Sequence, residues 1–174
     1  MKKRNLLITG AALLGGSWLW QTLRSQSLAD DVIALDSDQS NSATKQYKIM
    51  KTEEEWKQIL TPEQFRVLRK HGTERSFSSP LDKEYGNGTY HCAGCDQPLF
   101  KSDTKFNSRT GWPSFFDPIE GAIATTVDNS LFMKRTEVHC SNCGGHLGHV
   151  FNDGPKPTGQ RYCMNGVSLK FVPA

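Results

Sequence analysis

Charge of one sign is scarce in this sequence. Its 174 residues carry 21 Lys and Arg against 18 Asp and Glu, and even that small excess is confined to one end. Lys2, Lys3, Arg4 and Arg24 lie within the first 29 residues, which hold no acid, so the remainder has 17 basic against 18 acidic residues. That balance leaves no electrostatic footprint for nucleic acid, and no nucleic-acid partner is expected. A disordered or collagen-like composition is absent too, because 36% hydrophobic and 22% charged residues describe a globular chain. There are no internal repeats beyond two short cysteine pairs. Cysteine itself is sparse, at five residues.

The basic end reads as a targeting segment. Lys2-Lys3-Arg4 forms a positive start, Leu6 to Leu23 is apolar with small residues, and Ser27-Leu28-Ala29 offers a cleavage spacing. Lys3-Arg4 only approximates a twin-arginine pair. Residues 1–29 are therefore expected to be a signal peptide, or a membrane anchor, since residues 5–23 approach the length of a bilayer span. The protein is then exported, whether periplasmic, lumenal or membrane-anchored; the alternative is a cytoplasmic protein whose leader is not a signal. Residues 30–46 are polar and rich in Ser, Asn and Gln, as in a linker. Residues 47–174 form the expected folded domain.

Two helix starts open that domain. Thr52-Glu53-Glu54-Glu55 is a capping box, followed by Trp56, Ile59 and Leu60 as an apolar face. Thr61-Pro62-Glu63-Gln64 repeats the device with proline at the first helical position, Phe65, Val67 and Leu68 follow, and Gly72 marks a stop. The spacing predicts short helices at about 53–60 and 62–71. From Gly86 the pattern changes to strands and turns. Thr89-Tyr90-His91 reads as a strand, Ile123–Val127 and Leu131–Val138 as a hairpin, and Val167–Phe171 as a half-buried strand. The fold class expected is mainly β with two short N-terminal helices.

Cys92-Ala-Gly-Cys95 and Cys140-Ser-Asn-Cys143 each place two thiolates on one tight turn. Brought together they would form a structural four-cysteine site for one Zn2+ per chain, stapling distant turns of the β domain. Local disulfides or redox-active dithiols are the alternatives, and two matched, glycine-flanked pairs favour zinc over both. Four cysteines close such a site, which frees His146 and His149 for other work.

Cys163 is left without a partner. On a strand over 161–165, Arg161, Cys163 and Asn165 share one face, so a cation lies beside a thiol and favours its thiolate. His146 and His149, on a glycine-rich segment read as a flexible arm over 144–154, could supply protons. Trp112, in the aromatic run Gly111-Trp112-Pro113-Ser114-Phe115-Phe116, is a core residue unless it faces the thiol.

These motifs together resemble the B-type, R-specific methionine sulfoxide reductases over roughly residues 50–172. The match comprises Cys92-x-x-Cys95, Gly111-Trp112-Pro113-Ser114-Phe115, and Cys140-x-x-Cys143-Gly-Gly-His146-Leu-Gly-His149-Val-Phe-x-Asp153-Gly154-Pro155. It ends with Arg161-Tyr162-Cys163-x-Asn165. The resemblance implies two antiparallel sheets and a reductase of oxidised proteins in oxidative-stress repair. Cys163 would attack the sulfoxide sulfur, and His149 with His146 would protonate or hydrogen-bond its oxygen. Asn165 would fix substrate and water, Arg161 would lower the Cys163 pKa, and Trp112 would wall the S-methyl group.

Two departures from the family pattern matter. Thr110 stands where many relatives carry a resolving cysteine, so a one-Cys mechanism recycled by an external, thioredoxin-like thiol is expected. Gly166 stands where relatives commonly carry serine. Two other functions compete with the reductase: a zinc-stapled binding module, and a dithiol oxidoreductase using one Cys-x-x-Cys pair. The set Cys163, Arg161, Asn165, His146 and His149 speaks against the first, and a metal in the cysteine pairs against the second. Nothing in the sequence argues for more than a monomer.

Overall fold

A computed structural model describes residues 47–130 and 133–174 of this chain. The leader and linker expected over residues 1–46 lie outside the described residues. No helix among those described is long and apolar enough to cross a membrane.

Both helices form where their caps predict. In α1 (Glu53–Ile59) and α2 (Pro62–Lys70), Thr52 and Thr61 each accept a hydrogen bond from the third helical N–H, and Glu55 and Gln64 reach back to the cap N–H. Trp56, Leu60, Val67 and Leu68 are buried. Ile59 is not: a seven-residue helix buries only a narrow stripe, and Ile59 falls outside it at 54% exposure. The stop of α2 also differs from expectation, because His71 and not Gly72 adopts the left-handed cap conformation, at φ 53°.

Among the described residues, nine strands make two antiparallel sheets. β1 (Gly88–Cys92), β2 (Pro98–Lys101) and β9 (Leu169–Pro173) form the smaller, in the order β2-β1-β9. The larger has six strands: β3 (Lys105–Phe106), β4 (Ser114–Phe115), β5 (Ile123–Asp128), β6 (Arg135–Cys140), β7 (His146–Phe151) and β8 (Arg161–Met164). Their order is β3-β4-β8-β7-β6-β5. An apolar core that includes Tyr90, Phe100, Phe115, Leu147 and Met164 draws on strands of both sheets. Phe100 and Phe115 stack with centroids 4.3 Å apart, and Tyr90 meets Phe115 edge-on at 4.9 Å.

Three expectations need correction. Residues 144–154 are no flexible arm, because His146–Phe151 is strand β7, hydrogen-bonded between β6 and β8. Its glycine misled: a Cβ on Gly148 would meet the Cys163 carbonyl oxygen at 2.1 Å, so Gly148 permits close strand approach and does not signal flexibility. Val167 and Ser168 belong to a 3-10 turn, Gly166–Ser168, and only Leu169 onward is strand. The second hairpin strand is Arg135–Cys140, with Met133 and Lys134, expected within it, lying before its start. The short strands β2, β3 and β4 carry too few residues for alternation to reveal them.

Candidate functional site

The larger sheet lines up side chains that are far apart in sequence. Across it, Thr126 pairs with Glu137, Glu137 with His149, His149 with Cys163, and Cys163 with Ser114. Directly opposed residues share a face, so these five form one transverse row. Two residues further along their strands, Asp128 pairs with Arg135 and Phe151 with Arg161, on the same face. The sheet register thus sets a thiol beside an imidazole, with carboxylates and guanidinium groups behind them.

A cavity of about 140 Å³ opens on this face and is lined by Cys163, His149, Trp112, Phe151, Asn165 and Thr73, among others. Burial pushes the Cys163 thiol up from its ordinary value, and the positive charge of Arg161 with the hydroxyls of Thr110 and Ser114 only partly opposes it. Arg161 is shared, since its guanidinium forms a bidentate pair with Asp153 at 2.8 and 2.9 Å and lies 4.4 Å over the Phe151 ring. The expectation that Arg161 lowers the thiol pKa therefore has the right direction and is outweighed by burial.

His149 Nε2 lies 2.7 Å from Asp128 Oδ2, which also accepts from Arg135 at 2.7 Å. Burial lowers the His149 pKa, the Asp128 hydrogen bond raises it, and the charge of Arg135 lowers it again, for a net decrease. His146 Nδ1 lies 2.7 Å from Glu137 Oε1, and its ring centroid is 5.5 Å from that of His149. The β6–β7 register shifts where Val138 and His139 face Gly148 and His146, so β7 carries one extra residue, Leu147, between the His146 and His149 registers.

Asn165 closes the cavity from behind. Its Oδ1 accepts from the Glu74 N–H at 2.9 Å and its Nδ2 donates to the Leu147 carbonyl at 3.0 Å. Glu74 is itself 3% exposed, and its carboxylate accepts from the N–H groups of Gly166 at 2.6 Å and Val167 at 2.8 Å. Burial raises the Glu74 pKa against those two bonds. Trp112 Nε1 donates to the Glu74 carbonyl at 3.3 Å, so the Glu74 backbone holds both the indole and the amide while its carboxylate bonds the turn after β8. Nothing in the sequence singled out Glu74. Gly166 faces Ser79: a Cβ at 166 would approach the Ser79 Cβ to 2.4 Å. The two positions are matched in size.

Around the thiol, Ser108 Oγ contacts Thr110 Oγ1 at 2.8 Å and Ser114 Oγ at 2.7 Å, and Thr110 Oγ1 lies 3.9 Å from Cys163 Sγ. Thr110 and Ser114 thus set hydroxyls beside the thiol. Asp128, Glu137, Arg135 and Ser114 also escaped the sequence reading. Polar residues at i and i+2 on a strand read by default as its solvent face, and only the register shows them converging.

The four remaining cysteines meet as a second cluster. The Cys92 and Cys143 sulfurs are 3.8 Å apart and the Cys95 and Cys140 sulfurs 3.5 Å, with all four within 4.8 Å of one another. A tetrahedral ion with metal–sulfur bonds near ~2.3 Å places its sulfurs roughly 3.8 Å apart, so the set fits a metal. Both turns share one backbone pattern. The N–H groups of Asp96 and Gly144 bond the carbonyls of Cys92 and Cys140, while the N–H groups of Cys92 and Cys140 bond the carbonyls of Gln97 and Gly145. The helices cover the cluster, with Trp56 and Leu68 in its apolar core and Arg69 bonded to the Cys143 carbonyl at 3.0 Å.

Comparison with known proteins agrees with this geometry. The SelR domain matches residues 60–173. A peptide methionine sulfoxide reductase MsrB of Methanosarcina mazei is 62% identical over 128 residues, spanning 73% of this chain and 91% of the relative. The MsrB of Leptospira interrogans is 56% identical over 126 residues, 72% of this chain and 96% of the relative. That of Agrobacterium fabrum is 54% identical over 127 residues, 72% of this chain and 94% of the relative. With its motifs, its two sheets and most of each relative's length accounted for, the chain belongs to the SelR-domain family of peptide methionine sulfoxide reductases.

Proposed function

We propose that this chain reduces methionine-R-sulfoxide in oxidised proteins to methionine, with Cys163 as nucleophile and an external thiol as final reductant. The observation that carries the reading is the pairing of Cys163 directly opposite His149 at the mouth of one cavity. A sulfoxide oxygen is a poor leaving group until protonated, so thiolate and acid must act together. The resting pair is a thiol and a neutral imidazole, given the directions of their pKa shifts. Moving one proton from Cys163 to His149 creates the reactive thiolate and the acid in a single step. Asp128 orients the imidazole and stabilises its charged form.

In the reaction, Cys163 Sγ bonds to the sulfoxide sulfur as the S–O bond breaks, and the oxygen takes up two protons and departs as water. A water then adds to Cys163 Sγ and returns one proton, and methionine leaves with the electrons of the S–S bond. Cys163 is left as a sulfenic acid, oxidised by the two electrons the substrate gained. Two external thiols reduce it to thiol and water, becoming a disulfide, which a thioredoxin-like donor supplies. Trp112 offers an apolar wall to the S-methyl group, and Asn165 retains one amide N–H for substrate or water. His146 extends the proton supply behind His149. Zn2+ is the ion that suits the four-cysteine cluster, where it would fix the two turns without touching substrate. Residues 1–29 act as the export signal or anchor and 30–46 as the linker to this domain.

An assay on both sulfoxide epimers tests the reading, with thioredoxin and with a small dithiol as donors. Turnover of the R epimer only is expected, abolished by Cys163→Ser with fold and metal content retained. Turnover surviving in Cys163→Ser would overturn it.

A further inference from the structure

A second convergence of metal-ligand atoms lies beside the catalytic face. His71 Nδ1 and His146 Nδ1 approach the same oxygen, Glu137 Oε1, at 2.9 and 2.7 Å. The three ligand atoms lie within 4.8 Å of one another. Bonds of ~2.0–2.2 Å to imidazole and carboxylate put neighbouring ligand atoms roughly 3–3.5 Å apart, so an ion could enter with shifts below ~1 Å. The carboxylate is already oriented, because Thr126 Oγ1 donates to Glu137 Oε2 at 3.1 Å. His146 is fixed in β7 with a side chain 3% exposed, whereas His71 stands at the cap of α2 with its side chain 67% exposed. A cavity of about 420 Å³ adjoins all three and leaves space for water to complete a coordination shell. Two imidazoles and one carboxylate around open positions suit first-row transition dications and give no preference for calcium or magnesium.

We propose that His71, Glu137 and His146 form a second, reversible binding site for a transition-metal dication such as Zn2+, distinct from the four-cysteine cluster. The site draws one ligand from the helical segment and two from the sheet, so it exists only in the folded domain. An ion here takes His146 out of the proton supply and places a positive charge beside His149, which disfavours its imidazolium. Occupancy therefore inhibits sulfoxide reduction. The inhibition rests on the role proposed above for His146, while the binding does not.

Calorimetric titration of the full chain with Zn2+, its four-cysteine cluster already loaded, tests the site in a Cys163→Ser background so that the thiol cannot contribute. One further ion is expected to bind, and His71→Asn, which keeps a residue tolerant of the left-handed cap, is expected to lose it. No ion beyond the one held by the cysteines, or a further ion bound equally by His71→Asn, overturns the site. In the Cys163 enzyme, single-turnover methionine release without thiol reductant is expected to fall several-fold with Zn2+ and recover with a chelator. The His71→Asn enzyme should keep its basal rate and resist the ion. Binding that depends on His71 but leaves turnover unchanged would uphold the site and overturn instead the part given to His146.

Discussion

At the scale of single residues, the thiol's neighbours decide its reactivity. Burial outweighs the Arg161 charge, so alkylation of Cys163 by iodoacetamide should titrate above an ordinary thiol. Arg161→Met, which keeps a flexible chain over Phe151 but loses the charge, should move that midpoint further up and slow the reaction at neutral pH. A midpoint unchanged by the substitution would count against any electrostatic part for Arg161. Thr110 bears on the recycling route. With its hydroxyl 3.9 Å from Cys163 Sγ, Thr110→Cys brings a second thiol to a distance that a small loop movement can close. Mass spectrometry after one turnover should then find an internal disulfide in the variant and a sulfenic acid or its trapped adduct in the parent. An internal disulfide in the parent would remove the one-Cys reading.

At the scale of elements, the edge strand β3 carries an unusual buried cation. Lys105 Nζ donates to the Asp82 carbonyl at 2.8 Å and lies 3.6 Å over the Tyr85 ring, and an inward-pointing lysine guards a sheet edge against pairing with another chain. Burial pulls its pKa down to about 8, against the opposing charges of Asp82 and Glu84. Between that value and the unfolded value of 10.5, the unfolded chain binds more protons than the folded one. Stability should therefore rise with pH across this window, by at most about 1.4 kcal/mol per pH unit from this group. Denaturant unfolding at several pH values should show the slope, and Lys105→Met should remove it. A slope that persists in the variant would assign the effect to other groups.

At the scale of the whole molecule, the cysteine cluster is part of the core. Cys92, Cys140 and Cys143 are buried among Trp56, Leu68 and Leu147. Structural zinc in small peptide sites binds with about 10–16 kcal/mol, comparable to or above the roughly 5–15 kcal/mol that typically holds a domain together. Prolonged chelation is thus expected to release one tightly held ion and unfold the domain cooperatively, seen together in metal analysis and near-ultraviolet circular dichroism. A metal-free chain that keeps its native spectrum and melting temperature would show the cluster to be dispensable.

The sequence by itself determined what local chemistry encodes. Capping boxes at Thr52 and Thr61 start both helices because the orphan N–H groups lie within three residues of the side chains that satisfy them. The two Cys-x-x-Cys turns are legible for the same reason, as are Cys163 and Arg161 two residues apart on a strand. Only the tertiary structure decided what faces what. That Glu137, His149 and Cys163 form one row depends on strand register, and a slip of one residue would turn a strand's side chains to the opposite face. That Glu74 anchors Trp112 and Asn165 depends on burying a carboxylate against backbone donors some ninety residues away. That Gly148 belongs to a strand paired on both sides depends on how closely its neighbour's carbonyl approaches. Spacing along a chain records contacts within a turn or a strand, whereas a site assembled across a sheet is fixed by pairing energies that no single segment carries.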